Sequence, residues 1–341
     1  MASNLENAFK EINKRFGKNA VVVLGDAEPE KINCISTGSL QIDKILGGGF
    51  AKGRIAEVYG VEGAGKTSLV LQTAAQCQKE GGRVAVIDVE NALDLNYART
   101  LGANVKDLIF SQPNSGEEAL DICEILIKSG EVNLVILDSV AALAPQAELD
   151  GEMGDQNIGL TARLLGRALR KLTAAINHTN CCMIFINQLR SNIGGYGNPD
   201  TTTGGRALKY AASQRVELRK TTAIKEGQDV IGNMVKVKVV KNKIALPMQV
   251  CEIPLIFGKG FSAQNEVIDL ALEFGLCIKS GGWYTTYSGN RVQGKASLID
   301  YYNEHKDELE ELTTLVKQKL NNIEVKQEFE VDPETGEVLE N

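Results

Sequence analysis

The stretch Gly60-Val61-Glu62-Gly63-Ala64-Gly65-Lys66-Thr67 constrains the fold of this 341-residue chain more than any other. It follows a run of strand composition, Ile55–Tyr59, and leads into an amphipathic helical pattern, Thr67–Lys79. The glycines allow the backbone to curl so that successive N–H groups point inward. The helix start directly behind them adds its positive end. A strand, loop and helix in this order form a full Walker A pattern, which cradles a polyphosphate. Lys66 is placed to neutralise β and γ phosphates, the Thr67 hydroxyl to coordinate Mg²⁺, and Ser68 to complete the cradle.

The surrounding sequence supplies the sheet such a loop needs. From residue 53 to about 260, apolar runs of strand type recur at Ile55–Tyr59, Val84–Val89, Val132–Leu137 and Cys182–Ile186. Helical stretches such as Gly116–Lys128 lie between them, so βαβ units and a mainly parallel sheet covered on both faces are expected. Later, Gln214–Arg219 and Met234–Val240 flank Gly227 and read as a hairpin. From about residue 263 a helix (Glu266–Phe274), a Gly/Tyr-rich segment (Ser280–Tyr287) and a charged helix (Lys306–Leu320) read as a small α/β domain. At the other end, Ser3 and Glu6 have capping-box spacing. Leu5, Phe9, Ile12 and Phe16 form a helical stripe, Gly17 sits at a C-cap, and Val21–Leu24 reads as a short strand. One helix and one strand cannot bury these faces alone; they must dock on the core or on a neighbouring subunit. No repeat of 20–50 residues is present.

Three further residues fit a nucleotide site. Asp138 ends the run Leu134–Leu137, where a carboxylate holds Mg²⁺ through water in the Walker B manner. Glu90 follows the strand Val84–Val89, and ends of adjacent parallel strands converge on one crevice, so Glu90 is placed to polarise the attacking water. Asp88, expected to face the opposite side by strand alternation, is its competitor. Gln188, after Cys182–Ile186 and Asn187, is an amide suited to sense a γ-phosphate and pass its position to the following loop.

That loop, Leu189–Thr203, is long and glycine-rich and is not expected to hold a structure unaided. It carries Arg190, Tyr196, an aromatic able to pack between bases, and the hydroxyls of Thr202 and Thr203. Gly204, Gly205 and the basic Arg206, Lys209 and Arg215 follow. A second mobile segment, Glu148–Gln156, precedes the helix Leu160–Ile176. On that helix Arg163, Arg167 and Arg170 share one face, opposite Leu165, Leu169, Leu172 and Ile176. Aligned guanidiniums suit a phosphate backbone, so a polynucleotide-binding surface is expected here, with a solvated arginine face as the alternative.

A net charge of −7 conflicts with that expectation until it is located. Residues 321–341 hold seven acidic residues and one lysine, contributing −6 and leaving −1 on residues 1–320. The tail is expected to be disordered and to compete with nucleic acid for basic surface. Seven scattered cysteines, no C-x-x-C and two histidines argue against a disulfide framework or a zinc site. No apolar run is long enough for a membrane span and no signal-peptide core opens the chain, so a cytoplasmic protein is expected.

Taken together, these motifs resemble the bacterial RecA family. The resemblance is carried by Ile35-Ser36-Thr37-Gly38-Ser39-Leu40, Leu46-Gly47-Gly48-Gly49, the Walker A octet and Ile87-Asp88-Val89-Glu90. It continues through Leu137-Asp138-Ser139-Val140-Ala141-Ala142-Leu143, Phe185-Ile186-Asn187-Gln188, Thr201-Thr202-Thr203-Gly204-Gly205 and Val239-Val240-Lys241-Asn242-Lys243, covering roughly residues 3–320. The fold it implies is α/β, a RecA-like P-loop NTPase core with a mainly parallel twisted sheet. Residues 1–27 would be the helix–strand oligomerisation segment, 28–262 the ATPase core with DNA-binding loops, 263–320 a C-terminal α/β domain and 321–341 the acidic tail.

The resemblance also implies a helical filament on single-stranded DNA with ATP and Mg²⁺ between subunits, homologous pairing with double-stranded DNA, and self-cleavage of a LexA-type repressor in an SOS response. By motif position Glu90 looks like the catalytic glutamate, Asp94 and Tyr97 like adenine contacts, and Gln188 like the switch to the second DNA loop. Lys241 and Lys243 look like the pair that reaches ATP on the neighbouring subunit. Three positions depart from the pattern. Asn91 stands where His is expected, the second loop is about a residue short with Tyr196 at its aromatic position, and Arg206 replaces a neutral amide. A hexameric helicase, a small-molecule kinase and a nucleotide-switched scaffold share parts of this core. The helix–strand segment argues against the first, the lack of an identifiable acceptor pocket and lid against the second, and Glu90 with the paired lysines against the third.

Overall fold

A computed structural model of the chain describes residues 4–17, 20, 21, 23, 32–152, 159–191 and 200–325. It divides into two compact units, Met1–Asn33 and Cys34–Asn341.

In the first unit a helix spans Asn4–Phe16, with Glu6 in its first turn and Lys14 and Arg15 in its last, the charge order its dipole favours. Gly17, at φ +104°, closes it by donating its N–H to Asn13 O at 3.1 Å. The expected strand does not form at the residues described: Val21 lies in a bend, and Val23 is in no strand. The Val21 N–H that a strand partner would need is taken by Asn13 Oδ1 at 3.3 Å. Ser3, Val22 and Leu24 lie outside the described residues.

The second unit is built on one large sheet. Its strands run in the order Gly260–Phe261, Val250–Ile256, Asp229–Asn242, Gln214–Glu226, Ile55–Gly60, Cys182–Ser191, Leu134–Asp138, Val84–Asp88 and Ile109–Ser111. From Gln214–Glu226 to Ile109–Ser111 all neighbours are parallel, and the others are antiparallel. Side-chain alternation sorts the parallel strands onto two faces. Ala56, Val58, Val84, Val86, Leu134, Ile136, Ile184 and Ile186 pack with Leu69, Val70 and Ala74 of the helix Lys66–Lys79. Ile55, Ala85, Ile87, Val135, Leu137, Met183 and Phe185 pack on the other side. There they meet the helices Gly116–Lys128 and Leu160–Thr179. Both faces are therefore dry, as the apolar runs required.

The hairpin extends further than composition indicated, Gln214–Glu226 against Asp229–Asn242, with Gly227 at φ +61° in its turn. Beyond it, the helices Ala263–Glu273, Lys295–Glu304 and Lys306–Val325 and a three-stranded antiparallel sheet enclose a separate core. Ile268, Leu298, Tyr302, Leu312 and Val316 lie at its centre. The last helix runs on through Val325, into the stretch expected to be a disordered tail; the rest of that stretch lies outside the described residues. The segment expected to be mobile begins in order instead, since Glu148 and Leu149 close the one-turn helix Gln146–Leu149, while 153–158 are outside the described residues.

Candidate active site and nucleic-acid interface

Parallel register brings the candidate residues to one rim. Gly60 pairs with Gln188, and Asp88 with Asp138, so the parallel pairing of four neighbouring strands stops along one rim. Gly65, at φ +87°, is the N-cap of the helix Lys66–Lys79. A Cβ there would lie 2.8 Å from Leu255 Cδ2 and 3.0 Å from Phe261 Cζ, so the close approach as well as the backbone angle requires glycine. Gly63, Gly65, Lys66, Thr67, Ser68 and Tyr97 line a cavity of roughly 320 Å³, walled on the far side by Leu255, Ile256, Phe257 and Gly258. That wall comes from the antiparallel extension of the sheet.

Within the cavity Thr67 Oγ1 donates to Asp138 Oδ2 at 3.0 Å. Burial pushes the Asp138 carboxyl up to about 6, against the Thr67 hydrogen bond and with help from the Glu90 and Asp88 charges. Lys66 Nζ donates to Gly60 O at 3.2 Å and Val61 O at 2.9 Å, folded onto its own loop. Burial lowers its pKa, while Asp138, Glu90 and Glu62 oppose that shift. Ser68 Oγ and Tyr97 OH are 2.7 Å apart. Asp94 caps the helix Leu95–Thr100, accepting from Asn96 N at 2.7 Å and Tyr97 N at 3.1 Å, and so holds Tyr97 at the cavity. Two oxygen donors, a hydroxyl and a carboxylate with a raised pKa, suit a hard cation such as Mg²⁺. No cluster of three His, Cys, Asp or Glu side chains able to hold a metal occurs among the described residues.

Glu90 is exposed, and its Oε1 accepts from both Ser139 Oγ and, at 3.1 Å, Gln188 Nε2. Asp88 and Glu90 are indeed separated, but not by strand alternation, which puts residues two apart on one face. Pairing ends at Asp88, the Val89 N–H donates to Asp138 O at 2.7 Å, and the chain turns through Asn91 at φ +55°. Asp88, 2% exposed, accepts from Ala92 N, Leu93 N and Gln112 Nε2. Its carboxylate closes this turn.

The loop after Gln188 is corrected at its ends. Leu189 pairs with Thr202, Arg190 with Thr201 and Ser191 with Asp200 in a short antiparallel ribbon. Residues 192–199, Tyr196 among them, lie outside the described residues. Thr203 returns beside Asn187, and its Oγ1 donates to Asn187 Oδ1 at 2.5 Å. Gly204 and Gly205 turn the chain at φ +81° and +73° towards Arg206, which is exposed at the start of the helix Ala207–Ala211. Arg163, Arg167 and Arg170 are all exposed along Leu160–Thr179, whose opposite face buries Leu165, Leu169, Leu172 and Ile176. Lys241 stands apart from the nucleotide cavity's lining, with Nζ held by Lys209 O at 2.9 Å and Tyr210 O at 3.0 Å. Burial lowers its pKa, and the neighbouring Lys243, which is exposed, adds to the effect.

One constellation escaped the sequence reading. Glu57, fully buried, pairs with Arg215 Nε at 2.5 Å and accepts from Asn187 Nδ2 at 2.9 Å. The Arg215 guanidinium lies 4.5 Å from the Tyr59 ring centroid. Its one sequence signal is a carboxylate inside a strand whose residues are otherwise buried and uncharged, because a buried charge requires a partner.

Comparison with known proteins agrees with this architecture. A family model described as the RecA N-terminal domain matches residues 3–262, and one described as the RecA C-terminal domain matches residues 265–321. The chain is 51% identical over 316 residues to Protein RecA of Limosilactobacillus reuteri, covering 92% of this chain and 87% of that one. It is 46% identical over 340 residues to Protein RecA of Staphylococcus carnosus (98% and 96% covered) and 50% over 321 to that of Bordetella pertussis (93% and 91%). With both domain models matched in order across residues 3–262 and 265–321, and 46–51% identity over more than nine-tenths of its length to these relatives, the chain belongs to the RecA family.

Proposed function

We propose that this chain is a DNA-dependent ATPase that assembles as a helical filament on single-stranded DNA and catalyses homologous pairing and strand exchange with double-stranded DNA. Membership of the RecA family supports recombinase function in recombination and repair. The observation that carries the finer reading is the Gln188–Glu90 hydrogen bond, which ties the nucleotide rim to a residue leading directly into the paired loop stem.

In this reading the amides of Gly63–Thr67 bind the phosphates, and the Lys66 ammonium exchanges the Gly60 and Val61 carbonyls for phosphate oxygens. Thr67 and Asp138 hold Mg²⁺, which when bound neutralises charge on the β and γ phosphates. Ser68, Asp94 and Tyr97 position the base and sugar end. Glu90 orients a water for attack on the γ-phosphorus, and Gln188 senses that phosphate. Lys241 and Lys243 complete the site of a neighbouring copy. DNA lies along Arg163, Arg170, Arg190, Tyr196, Thr202, Thr203, Gly204, Gly205 and Arg206. Hydrolysis resets the filament rather than driving exchange.

The same proposal assigns residues 1–27 to subunit docking, 28–262 to the ATPase core, 263–320 to a domain that receives duplex DNA, and the acidic tail to restraint of that step. A LexA-type repressor is the proposed protein partner and the cytoplasm the proposed location. No described helix is long and apolar enough to cross a membrane.

The test is ATP hydrolysis with and without single-stranded DNA, repeated with Glu90→Gln. Strong stimulation that is lost in the variant supports both the recombinase reading and the role of Glu90. Hydrolysis indifferent to DNA rejects the DNA-dependent reading and points to a kinase-like or scaffold use of the core.

A further inference from the structure

We infer that Asn187 is a positioning residue that fixes Gln188 and Thr203 to one rigid amide, so that a shift at the nucleotide end is delivered to the returning stem of the DNA loop. The inference rests on the reading of Gln188 as the phosphate sensor. Asn187 is fully buried, one residue from the change between two ladders. Through Gln188 the strand pairs in parallel with Ile55–Gly60, Tyr59 opposite Asn187 and Gly60 opposite Gln188; from Leu189 it pairs antiparallel with Thr202. The side chain is the bridge across that change of partner.

Its hydrogen bonding leaves it one orientation. Oδ1 accepts from Gln188 N at 2.8 Å and Thr203 Oγ1 at 2.5 Å. Nδ2 donates to Glu57 Oε1 at 2.9 Å and Thr203 O at 3.0 Å. Turning the amide over would set its NH₂ against the Gln188 N–H and its oxygen against the Glu57 carboxylate. Glu57 is in turn fixed by Arg215, whose side chain is 6% exposed, and Arg215 by the Tyr59 ring. The anchor is therefore rigid at its buried end. Its other end carries the backbone of Gln188, whose side chain has two acceptors to choose between, Glu90 as seen here and a phosphate. A two-position group coupled through a fixed amide to Thr203 is the physical requirement for transmission between the sites.

Asn187→Asp keeps the size and both accepting contacts, loses both donors, and sets a second carboxylate against Glu57. Adding Glu57→Gln supplies a donor across that contact, whereas it supplies nothing useful to Asn187→Ala. In the full-length chain we would measure ADP affinity, melting temperature, and kcat and KM for ATP with and without poly(dT). Expected for Asn187→Asp is a fall of about tenfold in DNA stimulation of kcat, within the usual range of coupling between sites, at unchanged ADP affinity and KM. Glu57→Gln should restore most of that stimulation to Asn187→Asp and none to Asn187→Ala.

If Asn187→Asp does not fold, Asn187→Ala, which leaves no charge against Glu57, carries the same comparison. Full stimulation in either folded variant overturns the inference. So does a loss that merely tracks weaker ADP binding and a lower melting temperature, which is what a purely structural Asn would give. Absence of stimulation in the unsubstituted chain would instead overturn the proposed function, and the inference with it. Stimulation in the unsubstituted chain and in all the variants would sink the inference alone.

Discussion

Gln188 Nε2 donates to Glu90 Oε1 at 3.1 Å, although the two residues are 98 positions apart in the chain. The same oxygen accepts from Ser139 Oγ, the residue directly after the metal-holding candidate Asp138. The carboxylate proposed to orient water is therefore held from two strand ends at once. Under the proposed function, release of Gln188 to a γ-phosphate would free that oxygen on one side, making sensing and water activation two outcomes of one movement.

Gln188→Glu tests this pairing, because it preserves size while replacing the donor with a second carboxylate beside Glu90 and the phosphates. DNA-stimulated kcat should fall on the order of 100-fold, as when a preorganised hydrogen-bond donor is removed from a reacting charge. ADP binding, which involves no γ-phosphate, should change little. Single-turnover hydrolysis and ADP titration separate the two, and equal losses in both would show that Gln188 only shapes the cavity.

The raised carboxyl of Asp138 predicts a pH dependence of cation binding. Its folded pKa, about 6, lies above the usual 3.8 chiefly because of burial. Mg²⁺ requires the ionised form, so affinity should decline as pH falls through about 6, whereas an ordinary aspartate would hold its charge to about pH 4. The metal-free protein should behave oppositely, gaining stability as pH falls from about 7 towards 4, because the folded state then takes up a proton the unfolded chain binds less well. Calorimetric Mg²⁺ titrations with ADP at pH 5.5 and 7.5 check the first part. Affinities that are equal at the two pH values would remove Asp138 from the cation site.

Gly204 lies where the proposed DNA-binding loop returns, at φ +81°, with a Cβ position 2.8 Å from both Leu165 Cδ2 and Val140 Cγ1. Gly204→Ala therefore combines left-handed backbone strain of about 1–2 kcal/mol with overpacking of about 1–3 kcal/mol. Urea denaturation should show a loss on the order of 2–5 kcal/mol. Since Val140 follows Asp138-Ser139 and Leu165 sits on the helix that carries Arg163 and Arg170, DNA binding should weaken alongside. A variant as stable as the parent would mean that the stem is not clamped here.

What the sequence disclosed and what it hid follow from how local each feature is. The phosphate loop, the parallel strands and the arginine face are written in spacing within single elements, and Gly60, Asp138 and Gln188 are brought to one rim because the parallel strands pair in register. The Glu57–Arg215 pair joins residues 158 apart, and the lone carboxylate in Ile55–Gly60 signals that a partner is needed without saying which residue supplies it. The wall formed by Leu255–Gly258 belongs to the far side of the sheet, so only tertiary packing reveals it. Strand alternation along Val84–Val89 cannot separate Asp88 from Glu90, which are two residues apart; the turn that begins after Asp88 does so, burying Asp88 and leaving Glu90 exposed.

Glu266 offers a last test, at the junction between the core and the C-terminal helices. Its Oε2 accepts from Ser39 Oγ at 2.8 Å and Gln41 N at 3.2 Å, while Oε1 is buried without a partner among the described residues. Burial pushes its pKa up to about 7, with the nearby Asp43 charge adding to the shift. Because the folded value exceeds the unfolded one, the ionised form is the costly one. Stability is greatest where Glu266 is protonated and declines as pH rises through about 7. Glu266→Gln keeps an accepting oxygen for Ser39 and Gln41 but has no charge to bury. It should be close to neutral at pH 5 and stabilising by on the order of 2 kcal/mol at pH 8.5. Denaturation curves of the two proteins across this range should converge at the acid end. Parallel curves would show that the carboxyl stays ionised throughout, held by a partner other than the two hydrogen-bond donors seen at the junction.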